Sequence, residues 1–117
     1  MRNRKDTISI INSTSKIEGM LNFKGHLIVE GAIEGTIFAE TVFTEIDSRV
    51  MANIKATSLT IAGFFQGDIE VADTLTIVKT ADVKSQIRCR KLIIDEGGRL
   101  NGSVKFISSE NLHNSPP

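Results

Sequence analysis

The side chains of this 117-residue chain that could carry acid–base or nucleophilic chemistry are few and scattered. His26 and His113 are its two histidines, and neither has a Cys or a second His at a spacing that would hold a metal or activate a nucleophile. Cys89 is the one cysteine, and it falls at an apolar position of an alternating segment, which suits a small core residue better than a reactive thiolate. Asp68 and Glu70 lie two residues apart on one side of a strand, without a second carboxylate pair beside them. Gly97-Gly98 lacks the following helix and the Lys-Ser/Thr of a phosphate-binding loop. The chain is therefore expected to be no enzyme and to hold no metal or cofactor.

Composition narrows the remaining classes. Fourteen basic and fourteen acidic residues give zero net charge, so the positive field expected of a nucleic-acid binder is missing. Forty per cent apolar residues supply one core, and the length suits one domain. No apolar run approaches the roughly 18–20 residues of a membrane span. Polar residues interrupt the first isoleucines, so no secretory leader is expected. A single cysteine makes no internal disulfide, and a cytoplasmic location is expected.

The elements come from a repeat. Phe65, Gly67, Ile69 and Val71 alternate with Gln66, Asp68 and Glu70, the period of a strand with one apolar face. The same line begins at Ile17, Ile33, Val50, Phe65, Val83 and Leu100, at separations of 16, 17, 15, 18 and 17. Each of the first five copies is followed by a second inward pair: Leu27 with Val29, Val42 with Thr44, Leu59 with Ile61, Leu75 with Ile77, and Leu92 with Ile94. Turn residues such as Glu30-Gly31, Asp47-Ser48 and Ala62-Gly63 fall between them. A unit this short cannot bury its own apolar face, but stacking on a neighbour does so. The expected fold is all-β, a right-handed parallel β-helix of about six coils. Gly19, Gly35, Ala52, Gly67, Ser85 and Gly102 form a small-residue column in it, attributed to a narrow cross-section. The domain is placed at residues 14–106, with flexible tails at 1–13 and 107–117; residues near the first tail's end could instead add a strand to the first coil.

Three other architectures fit less well. A β-sandwich needs hairpin turns that are missing apart from Asn101-Gly102, which the repeat already explains. A left-handed hexapeptide helix needs coils in multiples of six, and a leucine-rich repeat needs a longer unit with an asparagine ladder.

Six copies of Ile-x-Gly-x-Ile-x-Ala resemble the core of the bactofilin family of bacterial cytoskeletal proteins. The closest copies are Ile33-Glu34-Gly35-Thr36-Ile37-Phe38-Ala39, Phe65-Gln66-Gly67-Asp68-Ile69-Glu70-Val71 and Leu100-Asn101-Gly102-Ser103-Val104-Lys105-Phe106, and Thr14 to Gly19 resembles the family's opening. Ala52 and Ser85 depart from the glycine pattern while remaining small. The resemblance implies a scaffold that self-assembles end to end into non-polar filaments without nucleotide. It also implies association with the cytoplasmic face of the inner membrane through the N-terminal tail, and organisation of cell-shape or cell-wall machinery. The implied partners are further copies of the chain, inner-membrane lipid, and cell-wall enzymes or membrane proteins.

The residues give this reading its own support. Neither tail is long and amphipathic enough to cap a solenoid, so both ends are expected to be open. Leu100, Val104 and Phe106 would then form the C-terminal polymerisation end and Ile17, Leu21 and Phe23 the N-terminal one. Arg2, Arg4 and Lys5, followed by Ile8, Ile10 and Ile11, are a candidate membrane contact. Ile28, Phe38, Phe43 and Ile93 point outward by parity and are a candidate lateral patch. Lys55, Glu70 and Arg88 are expected to stack as a charge ladder. The competing assignment is a small β-helix enzyme or carbohydrate-binding module, acyltransferase-like, working as a discrete oligomer with His26 in a groove. Its corner position makes His26 more simply a solvated imidazole.

Overall fold

The alternating segments form strands, and every strand pair is parallel. The computed structural model describes residues 8–107, which contain nine strands and no helix. The strands are β1 (Ile8–Ile11), β2 (Lys16–Asn22), β3 (His26–Val29), β4 (Ala32–Phe38), β5 (Thr41–Thr44), β6 (Arg49–Ile61), β7 (Phe64–Ile77), β8 (Asp82–Ile94) and β9 (Arg99–Phe106). They belong to one sheet that winds as a β-solenoid of about six turns.

Two ladders run along it. The first face stacks β2, β4, the first halves of β6, β7 and β8, and then β9. The second stacks β1, β3, β5 and the second halves of β6, β7 and β8. In β6, β7 and β8 the two segments expected as separate strands run as one, because pairing continues through the corner between them. The register shifts at that corner, where Ala72 and Asp73 stand against the single Thr57 of the coil before and Arg90 of the coil after. The extra residue bulges outward and leaves the core columns aligned.

Ile8–Ile11 is a strand rather than a frayed end. It pairs with His26–Val29 and places Ile11 in the core at 4% exposure. Of the two readings of the N-terminal segment, the added strand describes residues 8–11; residues 1–7 and 108–117 lie outside the described ones.

The core is a set of stacked aliphatic columns. Ile33, Val50, Phe65 and Val83 form one, and Ile37, Ile54, Ile69 and Ile87 another, all of them buried. Identical spacing on successive coils lets each side chain lie on the one below, and each full burial contributes on the order of 1.5–3 kcal/mol.

The small-residue column has a different cause from the expected narrow cross-section. Gly19, Gly35, Gly67 and Gly102 adopt φ of 125°, 129°, 136° and 137°, a conformation that residues with a Cβ rarely adopt. A Cβ on Gly35 would overlap the carbonyl oxygen of Gly19, one on Gly67 that of Ala52, and one on Gly102 that of Ser85. The backbone kink itself rests on the preceding coil. Ser85 sits in this column with its hydroxyl buried and unpartnered.

Two stability outcomes follow from that column. Gly67→Ala should lose about 2 kcal/mol or more, since it combines a strained φ with backbone overlap. Ser85→Ala should gain about 1 kcal/mol, because it removes an unsatisfied buried hydroxyl. Chemical denaturation of the two variants measures both; a neutral Gly67→Ala would show that the kink is not required.

Candidate functional site

The groups with possible chemistry do not converge. His26 opens strand β3, not a corner, and stands half-buried in register with Ile8 and Thr41. His113 lies outside the described residues. Cys89 is fully buried, and that burial pushes its thiol pKa up, so the reactive thiolate is disfavoured. Among the described residues no three His, Cys, Asp or Glu side chains come together as a metal site. Asp68 donates its backbone N–H to Asn53 Oδ1 at 3.1 Å. Lys55, Glu70 and Arg88 do stack in register, with Lys55 Nζ 4.0 Å from Glu70 Oε1, an exposed pair that adds little stability. A shallow groove of about 450 Å³ on the first face runs between the column of Thr36, Asn53 and Asp68 and that of Phe38, Lys55 and Glu70. It contains neither the histidine nor the cysteine.

The ends of the stack are chemically distinct from its middle. β9 pairs only with β8, and β2 only with β4, so each has one edge without a strand partner among the described residues. Leu100 and Val104 continue the buried columns of Val83 and Ile87 and are half-buried, with no further coil above them among the described residues. Phe106 continues the Cys89 position and is 60% exposed. Covering that remaining ring surface, about 120 Å², would contribute about 3 kcal/mol.

Leu92 and Ile94 belong to the same end and were not singled out from the sequence. Ile94 faces inward below Ile77, yet is 45% exposed. The signal was present, because Leu92 and Ile94 are the last inward pair and no pair follows Phe106.

At the other end Ile17, Leu21 and Phe23 are half-buried and pack against the core. Phe23 donates its N–H to the carbonyl of Phe38 at 2.8 Å, which fixes the first coil onto the second. Lys16 lies 3.5 Å from both Glu18 and Glu34 at this end. Glu34 foremost, then Glu18, raises its pKa.

The other two candidate surfaces are rearranged. Arg2, Arg4 and Lys5 lie outside the described residues. Ile8 and Ile10 are 58% and 60% exposed, whereas Ile11 turns inward and cannot share their contact. Ile10, Ile28 and Phe43 are successive register partners on the second face, and the same column continues through Thr60 and Thr76 to Ile93. Phe38 is not part of it: its partners are Asn22 and Lys55 on the first face. Parity along the chain shows that a residue points outward but not on which side of a winding sheet it does so.

The bactofilin family model, described as polymer-forming cytoskeletal, matches residues 9–105. Two relatives from Myxococcus xanthus (strain DK1622) are similar to the chain. Bactofilin BacO is 26% identical over 103 residues, covering 87% of this chain and 82% of the relative. Bactofilin BacP is 24% identical over 97 residues, covering 82% of this chain and 40% of the relative. No solved structure matches. Among the described residues no helix is long and apolar enough to cross a membrane.

The burial of Cys89 has a direct readout. It should react with a small thiol reagent only once the protein unfolds, and fast labelling of the native protein would contradict its place in the stack.

Proposed function

Because the chain belongs to the bactofilin family of polymer-forming cytoskeletal proteins, we propose that its solenoid stacks end to end with further copies into filaments that need no bound nucleotide. The observation that supports this reading is the pair of ends without a strand partner among the described residues, above all Leu92, Ile94, Leu100, Val104 and the exposed Phe106 ring at the last coil. A terminal coil has unpaired backbone groups along one edge and unfinished apolar columns beneath them, and a second terminal coil supplies both deficits. Ile17, Leu21 and Phe23 make the opposite contact. The filaments are non-polar as assemblies and serve as a scaffold for cell-shape or cell-wall machinery, with enzymes or membrane proteins of that machinery as partners.

Association with the cytoplasmic face of the inner membrane rests on Arg2, Arg4 and Lys5, each worth about 1 kcal/mol near an anionic surface, together with Ile8 and Ile10. Ile11 has no part in it, being a core residue. The domain for assembly is proposed as the solenoid itself, including the strand Ile8–Ile11, rather than a body beginning at residue 14.

Phe106→Arg tests the longitudinal contact. It places a charge where an apolar junction would desolvate it, so the β-sheet circular dichroism should persist while sedimentable filaments are lost. Filaments unchanged in the variant would move the contact elsewhere. A wild-type protein that stays a small monodisperse oligomer across salt and concentration would favour the ligand-binding alternative, with the first-face groove as its site. Removing residues 1–7 tests the membrane contact and spares β1: polymers should persist and binding to anionic liposomes should fall.

A further inference from the structure

Two pairs of like charges stand in register on the first face, one at each end of the rod. At the N-terminal end Glu18 is partnered by Glu34, and at the C-terminal end Arg88 is partnered by Lys105. Like charges at directly opposed positions destabilise a sheet unless a counter-ion joins them. The acidic pair has one, because Lys16 Nζ lies 3.5 Å from both carboxylates. The basic pair has none: among the described residues neither Arg88 nor Lys105 belongs to an ion pair.

The neighbouring charges do not make up the difference. Glu70 is in register with Arg88 on the coil before, but its Oε1 lies 4.0 Å from Lys55 Nζ. Asp68 is in register with the neutral Gln86 across the groove. On the third and fourth rungs of this face the signs oppose, Arg49 and Lys55 against Asp68 and Glu70. The fifth and sixth share a sign, Lys84 and Arg88 followed by Arg99 and Lys105. Asp82 is the carboxylate of those two rungs, and it stands at the far edge in register with Arg99. A further molecule on the stack does not supply the charge either. Continued in the same direction, the columns place Asn22 of the next copy over Lys105. Reversed, they bring up a second β9, which contains no carboxylate.

We propose that Arg88 and Lys105 bind a dissolved phosphate anion, which joins them as Lys16 joins the two glutamates. Both line the C-terminal part of the first-face groove, with Gln86 and Ser103 on the opposite wall. The guanidinium offers a planar fork of N–H donors, the ammonium a compact charge, and the amide and hydroxyl two more donors. Donors on both walls and two adjacent cations suit a group with about two negative charges and oxygens on several sides, which a phosphate has and a single carboxylate lacks.

The site is exposed, so one protomer holds the anion weakly. Its consequence appears at a junction of two last coils, where the cations of both sixth rungs adjoin and an anion relieves their repulsion. This consequence rests on the filament reading. The anion lowers the protein concentration at which filaments form without being required for them.

Millimolar pyrophosphate, compared with chloride at equal ionic strength, is the probe. Below the concentration for assembly it should raise the thermal midpoint of the wild-type protein. It should also lower the critical concentration for sedimentable filaments about fivefold, the worth of one exposed ionic contact. Lys105→Gln should lose both responses, whereas Lys55→Gln, whose partner is Glu70, should keep them. No midpoint shift in wild type, or an equal shift in Lys105→Gln, overturns the site. A shift that appears only in Glu110→Gln also overturns it, by assigning the counter-ion to the chain beyond Ile107. A midpoint shift with an unchanged critical concentration overturns the role at the junction. Filaments absent in both media fail the filament reading, and the midpoint shift still decides the site.

Discussion

Each coil of this protein depends on a neighbour for two things it cannot supply alone: partners for its backbone N–H and C=O groups, and a floor for its inward side chains. Parallel stacking meets both needs in one contact, because the register that pairs Ile37 with Ile54 also lays one isoleucine on the next. The interior columns are therefore almost completely buried in a chain of only 117 residues. The same dependence leaves a residue of unmet need at each end of the described coils. Stability in the middle and the end-to-end association proposed for this chain would come from one interaction.

The repeat was legible because a two-residue alternation repeated at nearly constant length forces equivalent positions into columns. Ile33, Val50, Phe65 and Val83 fall one above another on spacing alone, and the corners lie where the lengths vary. Cys89 could be placed in the core on the same grounds. The glycines were located correctly, but their reason was not. Overlap of a Cβ with the preceding coil's carbonyl is a property of backbone geometry that composition does not display.

Other details depend on how the sheet winds. Phe38 and Phe43 are five residues apart and both outward, yet they lie on different faces because the chain passes a corner between them. Ile8 and Ile10 looked like part of a basic tail, and they are the first rung of the second face. Leu92 and Ile94 looked like interior residues, and they form part of the C-terminal end because, among the described residues, the next coil has only its first-face strand. In each case a local pattern was correct and its neighbour across the coil was the missing information.

The central claim is that the stack of coils continues from one molecule into the next along the same axis. Cryo-electron microscopy of the assembled protein tests it through the axial repeat. Six coils at about 4.8 Å predict a subunit rise of about 29 Å, or about 58 Å if successive molecules alternate in direction, with the 4.8 Å spacing unbroken across the junction. A filament whose rods lie across its axis, or whose 4.8 Å stack is interrupted at every subunit, would contradict it.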